Sequence, residues 1–266
     1  MAVVGRTGFL AVSLAAISTL ILQNMHDHST MEGIPSGKTR VLDLSYAISD
    51  KLVPWPGDEK FFEAKVNASV EKNGYFTRSF WMLEHYGTHL DAPAHFPPGK
   101  TTVDQIPVKQ LFGPAVVIDV RAESGKDADY QLSAARIEEW EKRHGRIPEG
   151  AIVLLRTGWA TRWPDVQKYR NQDAQGKMHF PGFSAEAAKL LLERRVSGLG
   201  CDTLSVDYGA SSDYSVHHLA LGAGLYHLEN LADLSELPEM GAFLEVAPIK
   251  LEGGSGGPVR VFAILP

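Results

Sequence analysis

His85-Tyr86-Gly87-Thr88-His89-Leu90-Asp91-Ala92-Pro93-Ala94-His95-Phe96 is the stretch of this chain with the densest chemistry. Its four metal- or proton-capable side chains, His85, His89, Asp91 and His95, all fall on odd positions. Side chains of equal parity share one face of an extended chain. If the strand-like run before it stays extended, His85, His89 and Asp91 converge on one side. A helix would pair His85 with His89 at i,i+4, but Gly87 and Pro93 oppose one. Two imidazoles and a carboxylate suit a borderline divalent ion such as Zn²⁺ or Mn²⁺ and leave a position open for water. A single histidine in a strand is more often a core or surface residue than a ligand, but several ligand-type residues so close together reverse that preference. In this picture Gly87 lets the backbone pass close to the ion, and Pro93 stiffens the exit.

A second group follows 120 residues later: Ser215-Val216-His217-His218, then Gly222-Ala223-Gly224, then Tyr226-His227-Leu228-Glu229-Asn230. Buried strands seldom carry glutamate, so Glu229 inside an apolar run asks for a cation or a hydrogen-bond partner, unless it lies at an exposed edge. His227 shares strand parity with Glu229. His217 and His218 fall on a short helix ahead of the glycines. Residue chemistry alone leaves open which histidine joins Glu229.

The elements that must position these groups mix strands and helices, without an internal repeat. Arg40 to Ala47 opens as a strand, and the Pro/Gly-rich Val53 to Asp58 is a loop. Phe61 to Val70 and Tyr75 to Glu84 read as an antiparallel pair turning at Lys72-Asn73-Gly74. Ala115 to Val120 and Ala151 to Thr157 are buried strands, separated by a helix that starts behind Ser133 and runs through Ile137 and Trp140. Ser184 caps a helix from Ala185 to Arg195. Gly198 to Val206, Leu225 to Leu231 and Val259 to Ile264 are further strands. The pattern predicts one α/β domain built on a mixed sheet.

Composition narrows the class. The 266 residues are enough for a sizeable core, and 44% hydrophobic with 22% charged residues is an ordinary globular balance. A net charge of −6 argues against a nucleic-acid partner. One cysteine, Cys201, excludes an internal disulfide and a cysteine-rich zinc site, so a metal must be held by histidine and carboxylate. A basic start and an apolar run from Gly8 to Leu22 have the layout of a signal peptide, so residues 1–22 predict export to the periplasm or medium; the rivals are an uncleaved membrane anchor and a cytoplasmic protein. Residues 23–38 read as a linker and 39–266 as the folded domain.

The motif His-x-Gly-Thr-His-x-Asp-x-Pro-x-His, met without a gap by His85 to His95, resembles that of the cyclase family of metal-dependent hydrolases, whose members include bacterial kynurenine formamidase and isatin hydrolase. The resemblance extends from about Val41 to Ala263. It takes in Trp55-Pro56-Gly57-Asp58, Leu155 to Trp159, His179 to Phe183, Gly200 to Asp207 and Gly257 to Arg260. It implies a swivelling β/β/α fold and a homodimer or larger homo-oligomer in which each pocket is completed by the other subunit. It also implies His85 and His89 as metal ligands, Asp91 as a carboxylate able to bridge to a second ion, and His95 as the proton shuttle. Counting back from Gly224 matches the family's later histidine to His217 and its acid to Glu229, with Ala220 where a leucine is usual. One or two Zn²⁺ or Mn²⁺ ions per subunit are compatible with these residues. Trp55 matches a substrate-contacting tryptophan, whereas core packing suits Trp81 better.

The expected chemistry is hydrolysis of a C–N bond in a small amide: an aryl formamide resembling N-formylkynurenine first, a cyclic amide or lactone second. A metal-binding module without catalysis is the rival from another class, and the further imidazole of His95 argues against it. No Gly-x-Ser-x-Gly elbow joins a predicted strand to a helix, which disfavours a serine hydrolase.

Overall fold

Strands that are apolar on both faces must lie in the middle of a sheet covered on both sides, and two segments meet that condition. β5 (Phe112–Asp119) and β7 (Ile152–Arg156) pair in parallel in the centre of an eight-stranded sheet. The computed structural model describes residues 31–266, and Leu42–Leu265 form one compact unit. The expectation of an export signal lies outside the described residues, as does the first half of the predicted linker, 23–30; the described residues before Leu42 include a short turn at 34–37.

The remaining strands are β1 (Val41–Asp43), the hairpin β2 (Phe62–Ala68) and β3 (Thr77–Met82), β4 (His89–Asp91), β6 (Gln131–Leu132), β8 (Gly182–Phe183), β9 (Gly198–Cys201), β10 (Tyr226–Glu229), β11 (Phe243–Pro248) and β12 (Gly256–Ile264). The large sheet runs β1-β12-β11-β5-β7-β9-β10-β4, and β12 also pairs with β4, which closes it like a barrel. β5, β7, β9 and β10 are mutually parallel, and β11, β12 and β4 join antiparallel. This is the predicted α/β architecture with a mixed sheet.

Alternation along the strands divides the core in two. Val117, Leu154, Leu228, Leu244 and Val261 fill the inside of the closed sheet. Val116, Ile118, Val153 and Leu155 face outward against α1 (Ala134–His144) and α2 (Ala185–Glu193). Ser133 and Ser184 cap these helices as expected, each side-chain oxygen accepting from a backbone N–H of the first turn. Trp140 bonds α1 to the sheet, its Nε1 donating to the Val117 carbonyl at 3.0 Å.

Some predicted elements are shorter than their apolar runs. β9 stops at Cys201, because Asp202 turns inward and accepts from Thr157 N, Thr157 Oγ1 and Gly158 N. The predicted strand Arg40 to Ala47 is only three residues long. The β2–β3 hairpin forms as expected but stands apart from the large sheet, so Trp81 is not core: it is 44% exposed, with Lys60 Nζ 4.8 Å from its ring centre.

Behind the site, β8 passes so close to residues 206–208 that only glycine fits. A Cβ on Gly182 would stand 2.4 Å from Tyr208 N and 2.7 Å from the Val206 carbonyl oxygen. Both obstacles are backbone, so they cannot swing aside. Gly182→Ala should therefore destabilise the fold by about 1–3 kcal/mol in urea unfolding, the range for overpacking; an unchanged midpoint would show that this approach has slack.

Candidate metal centre

β4 delivers two of the predicted residues directly. Leu90 points into the core, so strand alternation places His89 and Asp91 together on the other face, and both are buried. β10 lies antiparallel beside it, with His227 opposite Asp91, Leu228 opposite Leu90 and Glu229 opposite His89. Glu229 is thus buried between β9 and β4, not at an exposed edge. The third contribution comes from α3 (Ser215–Gly222), which turns His217 inward and leaves His218 exposed.

The two carboxylates divide their oxygens between the imidazoles. Asp91 Oδ1 lies 3.1 Å and Glu229 Oε2 3.5 Å from His89 Nε2. Asp91 Oδ2 and Glu229 Oε1 each lie 3.4 Å from His217 Nε2. Ligands about 2.0–2.2 Å from a tetrahedral cation stand about 3.3–3.6 Å apart, so this spacing suits a Zn²⁺-sized ion. Asp91 Oδ2 is buried without a hydrogen-bond partner, a further sign that the donor set lacks its acceptor. The residues fit a divalent cation.

Each of these imidazoles is aimed by its far nitrogen. His89 Nδ1 bonds the Gly87 carbonyl at 3.0 Å, and His217 Nδ1 bonds Asp207 Oδ2 at 2.6 Å. Such outer bonds set the tautomer and direction of a ligand. Asp207 is itself held by the backbone N–H groups of Val216 and His217. Sequence reasoning gave it no role, although a buried acid just before a histidine-bearing helix is a usable signal. Gly87 takes a left-handed φ of 70° and turns its carbonyl toward His89.

His85 departs from the parity prediction. The extended chain ends at Met82, and a turn at 84–85 breaks the alternation, so His85 reaches the cluster from the side. Its Nδ1 is 2.6 Å from Asp91 Oδ1, its Nε2 2.9 Å from Ser255 Oγ, and Ser255 in turn donates to Glu84. Ser255, His85 and Asp91 thus stand in the order of a serine-hydrolase triad, within a Gly-x-Ser-x-Gly run. That run leads into β12 and not into a helix, and Ser255 does not line the cavity described below, so it is no nucleophile elbow. His95 lies off the β4 line on a 3₁₀ turn opened by Pro93, yet its ring stacks on His85 at 3.9 Å.

The charges follow from this packing. Burial pushes the Asp91 carboxyl up, but His89, His217, His227 and His85 outweigh burial and hold it well below the usual range. Burial would lower His89; Asp91 and Glu229 instead lift it from 6.5 to about 9. His217 is likewise raised, against its burial, by Asp207, Asp91 and Glu229. His95 goes the other way, pushed down to about 4 by burial, with the imidazoles of His85, His217 and His89 adding to the shift.

Above the cluster opens a cavity of about 530 Å³, whose lining includes Trp55, Phe96, Tyr214, His95 and Asn230. The predicted Trp55 therefore reaches the cavity, whereas Trp81 does not.

Comparison with known proteins agrees with this picture. A family model described as "Putative cyclase" matches residues 42–208. The chain is 36% identical over 247 residues to an isatin hydrolase of Roseibium aggregatum, covering 87% of this chain and 94% of that one. It is 31% identical over 224 residues to a kynurenine formamidase of Bacillus thuringiensis, covering 82% and 94%. An isatin hydrolase bound to the product analogue thioisatinate superposes with a TM-score of 0.84 at 30% identity, over 91% of this chain and 98% of that one. This chain belongs to the cyclase family.

The raised His89 makes a test by pH. It binds its proton more tightly folded than unfolded, so in metal-free protein its contribution is complete below about pH 6.5 and is lost as pH rises through about 9. The melting temperature of chelator-treated protein should fall across that window, and added divalent metal should remove the fall by replacing the proton. A metal-free melting temperature that stays flat or rises there would contradict this electrostatic account.

Proposed function

We propose that this protein is a metal-dependent hydrolase that cleaves the C–N bond of a small amide bearing an aryl group. The observation that carries the reading is that the carboxylates of Asp91 and Glu229 stand between the imidazoles of His89 and His217 at the base of a cavity walled by Trp55, Phe96 and Tyr214. Zn²⁺ and Mn²⁺ are the ions this donor set favours, one or two per subunit, with His85 an additional ligand from the side. Held there by His89, Asp91, His217 and Glu229, a divalent ion would supply a nucleophilic water at neutral pH and Lewis acidity toward the scissile carbonyl.

The chain's own groups do the rest. Trp55 and Phe96 offer flat faces on which an aryl ring can stack. His95, neutral at pH 7, can take the proton of the attacking water and pass it to the leaving nitrogen, without which the C–N bond breaks slowly. Asp207 and the Gly87 carbonyl keep His217 and His89 from turning away.

Two substrate types meet these demands. An aryl formamide resembling N-formylkynurenine agrees with the formamidase relatives, and a benzo-fused cyclic amide such as isatin agrees with the 36% identity to an isatin hydrolase. Export, supported by the apolar run at residues 8–22, and assembly into a homodimer, supported by the family resemblance, complete the reading.

Assay of isatins, aryl formamides and lactones with added Mn²⁺ or Zn²⁺ tests the activity; no turnover of any amide with either ion would overturn it. His95→Ala should lower kcat about 10²- to 10⁴-fold while metal content stays at the wild-type level. Loss of the metal together with activity would make His95 a ligand and not the proton carrier.

A further inference from the structure

Trp55 sits in the loop Val53-Pro54-Trp55-Pro56-Gly57-Asp58, whose two prolines have no N–H to donate. One bond closes the turn from within, Asp58 N donating to the Trp55 carbonyl at 3.3 Å. Arg170 holds the loop from outside: its Nε donates to the Pro54 carbonyl oxygen at 2.9 Å, and its Nη2 donates to the same oxygen. That carbonyl lies in the peptide plane that leads to Trp55 N, so fixing it along two lines fixes the direction from which the indole side chain departs. The guanidinium comes from a rigid base. It ends the short helix Val166–Arg170, which Asp165 caps by accepting from Lys168 N. Tyr169, fully buried in one cluster with Val53, donates from Oη to the Asp202 carbonyl at 2.9 Å, and its own carbonyl accepts from Trp159 Nε1 at 2.7 Å. Asn171, at a left-handed φ of 46°, donates from Nδ2 to the His179 carbonyl at 2.8 Å.

We propose that Arg170 is a positioning residue that sets Trp55 as the aryl-selective wall of the cavity, acting through the Pro54 carbonyl and without touching substrate. The inference rests on the reading of Trp55 as a stacking face and deepens it. Arg170 does not line the cavity, whereas Trp55 and Asp58, at the two ends of the turn it secures, both do. Ring stacking depends on the offset and tilt of the two planes, but burial of apolar area has no direction. A loop free to shift would keep its hydrophobic contact with a bound ring and lose its preference for a flat one. Arginine suits this task better than lysine, because its planar guanidinium carries the Nε and Nη2 donors in a fixed fork, whereas an ammonium is a point charge with rotatable donors.

The test is titration calorimetry of Zn²⁺-loaded full-length protein with acetophenone and with its ring-saturated counterpart, cyclohexyl methyl ketone. The two share size and carbonyl group, and neither has a C–N bond to cleave. Wild type should bind the aryl ketone about three- to tenfold more tightly, the margin that ring stacking adds to area burial. Arg170→Ala should reduce that margin below twofold by weakening aryl binding, with the saturated ketone bound as in wild type, and Arg170→Lys should keep an intermediate margin. In a Trp55→Leu background, Arg170→Ala should remove nothing further, since the two residues act as one unit. Should the alanine variant fail to fold, Arg170→Gln serves, with the margin again below twofold. A wild type without preference, an Arg170→Ala variant that keeps the wild-type margin, or one that loses affinity for both ketones alike, as a merely structural bond would give, would overturn the proposal. These ligands report stacking and not turnover: a protein that shows the expected pattern yet hydrolyses no amide would support the proposal while defeating the functional reading.

Discussion

Asp91 and Glu229 are two acids buried on neighbouring strands, and the rest of the site exists to make that pairing tolerable. Carboxylates removed from water cost several kcal/mol each unless positive charge and hydrogen bonds compensate. The compensation is local: His89 and His217 lie between their oxygens, and Val206 N donates to Glu229 Oε1 at 2.9 Å. In metal-free protein, protons on the two imidazoles supply the positive charge, which is why both are raised against the pull of burial. A divalent cation does the same more effectively, and the protein's affinity for it comes from that competition.

The closed sheet makes the burial possible. β4 is only three residues long, yet it is paired on both sides, to β10 and to β12, so its backbone is satisfied at the seam where the sheet closes. Close approach at that seam needs glycine: a Cβ on Gly256 would stand 2.5 Å from the Leu90 carbonyl oxygen and 2.6 Å from His85 Cε1. Asn230, at a left-handed φ of 54°, ties the end of β10 to the turn before β4 by donating from Nδ2 to the Gly87 carbonyl. The same carbonyl accepts from His89, so the register of the two strands and the aim of a ligand imidazole share one atom.

Much of this was legible in the residues. Period-two alternation and apolar length identified β5, β7, the hairpin and the capped helices, because those segments take their structure from local pattern. The pairing of His89 with Asp91 followed from the same parity. Parity failed at His85, where tertiary contacts to Ser255 and Asp91 bend the chain after β3. The core-packing expectation failed for Trp81, whose apolar side chain lies on a hairpin outside the main sheet, a placement no local pattern encodes. The choice among His217, His218 and His227 was open to chemistry and narrowed to His217 by the family motif. The structure turns His217 and His227 inward and leaves only His218 outside. Asp207 went unassigned because its value lies in a 2.6 Å bond to a residue ten positions away.

The central claim is that two segments more than a hundred residues apart close on a cation. Anomalous scattering from crystals grown with Zn²⁺, recorded on both sides of the zinc edge, tests it most directly. The account predicts zinc density at the cluster, in one or two peaks about 2.0–2.2 Å from their donor atoms, whose ligands between them include His89, Asp91, His217 and Glu229. Absence of such density at full zinc loading, or density whose ligands between them exclude either Asp91 or Glu229, would contradict it.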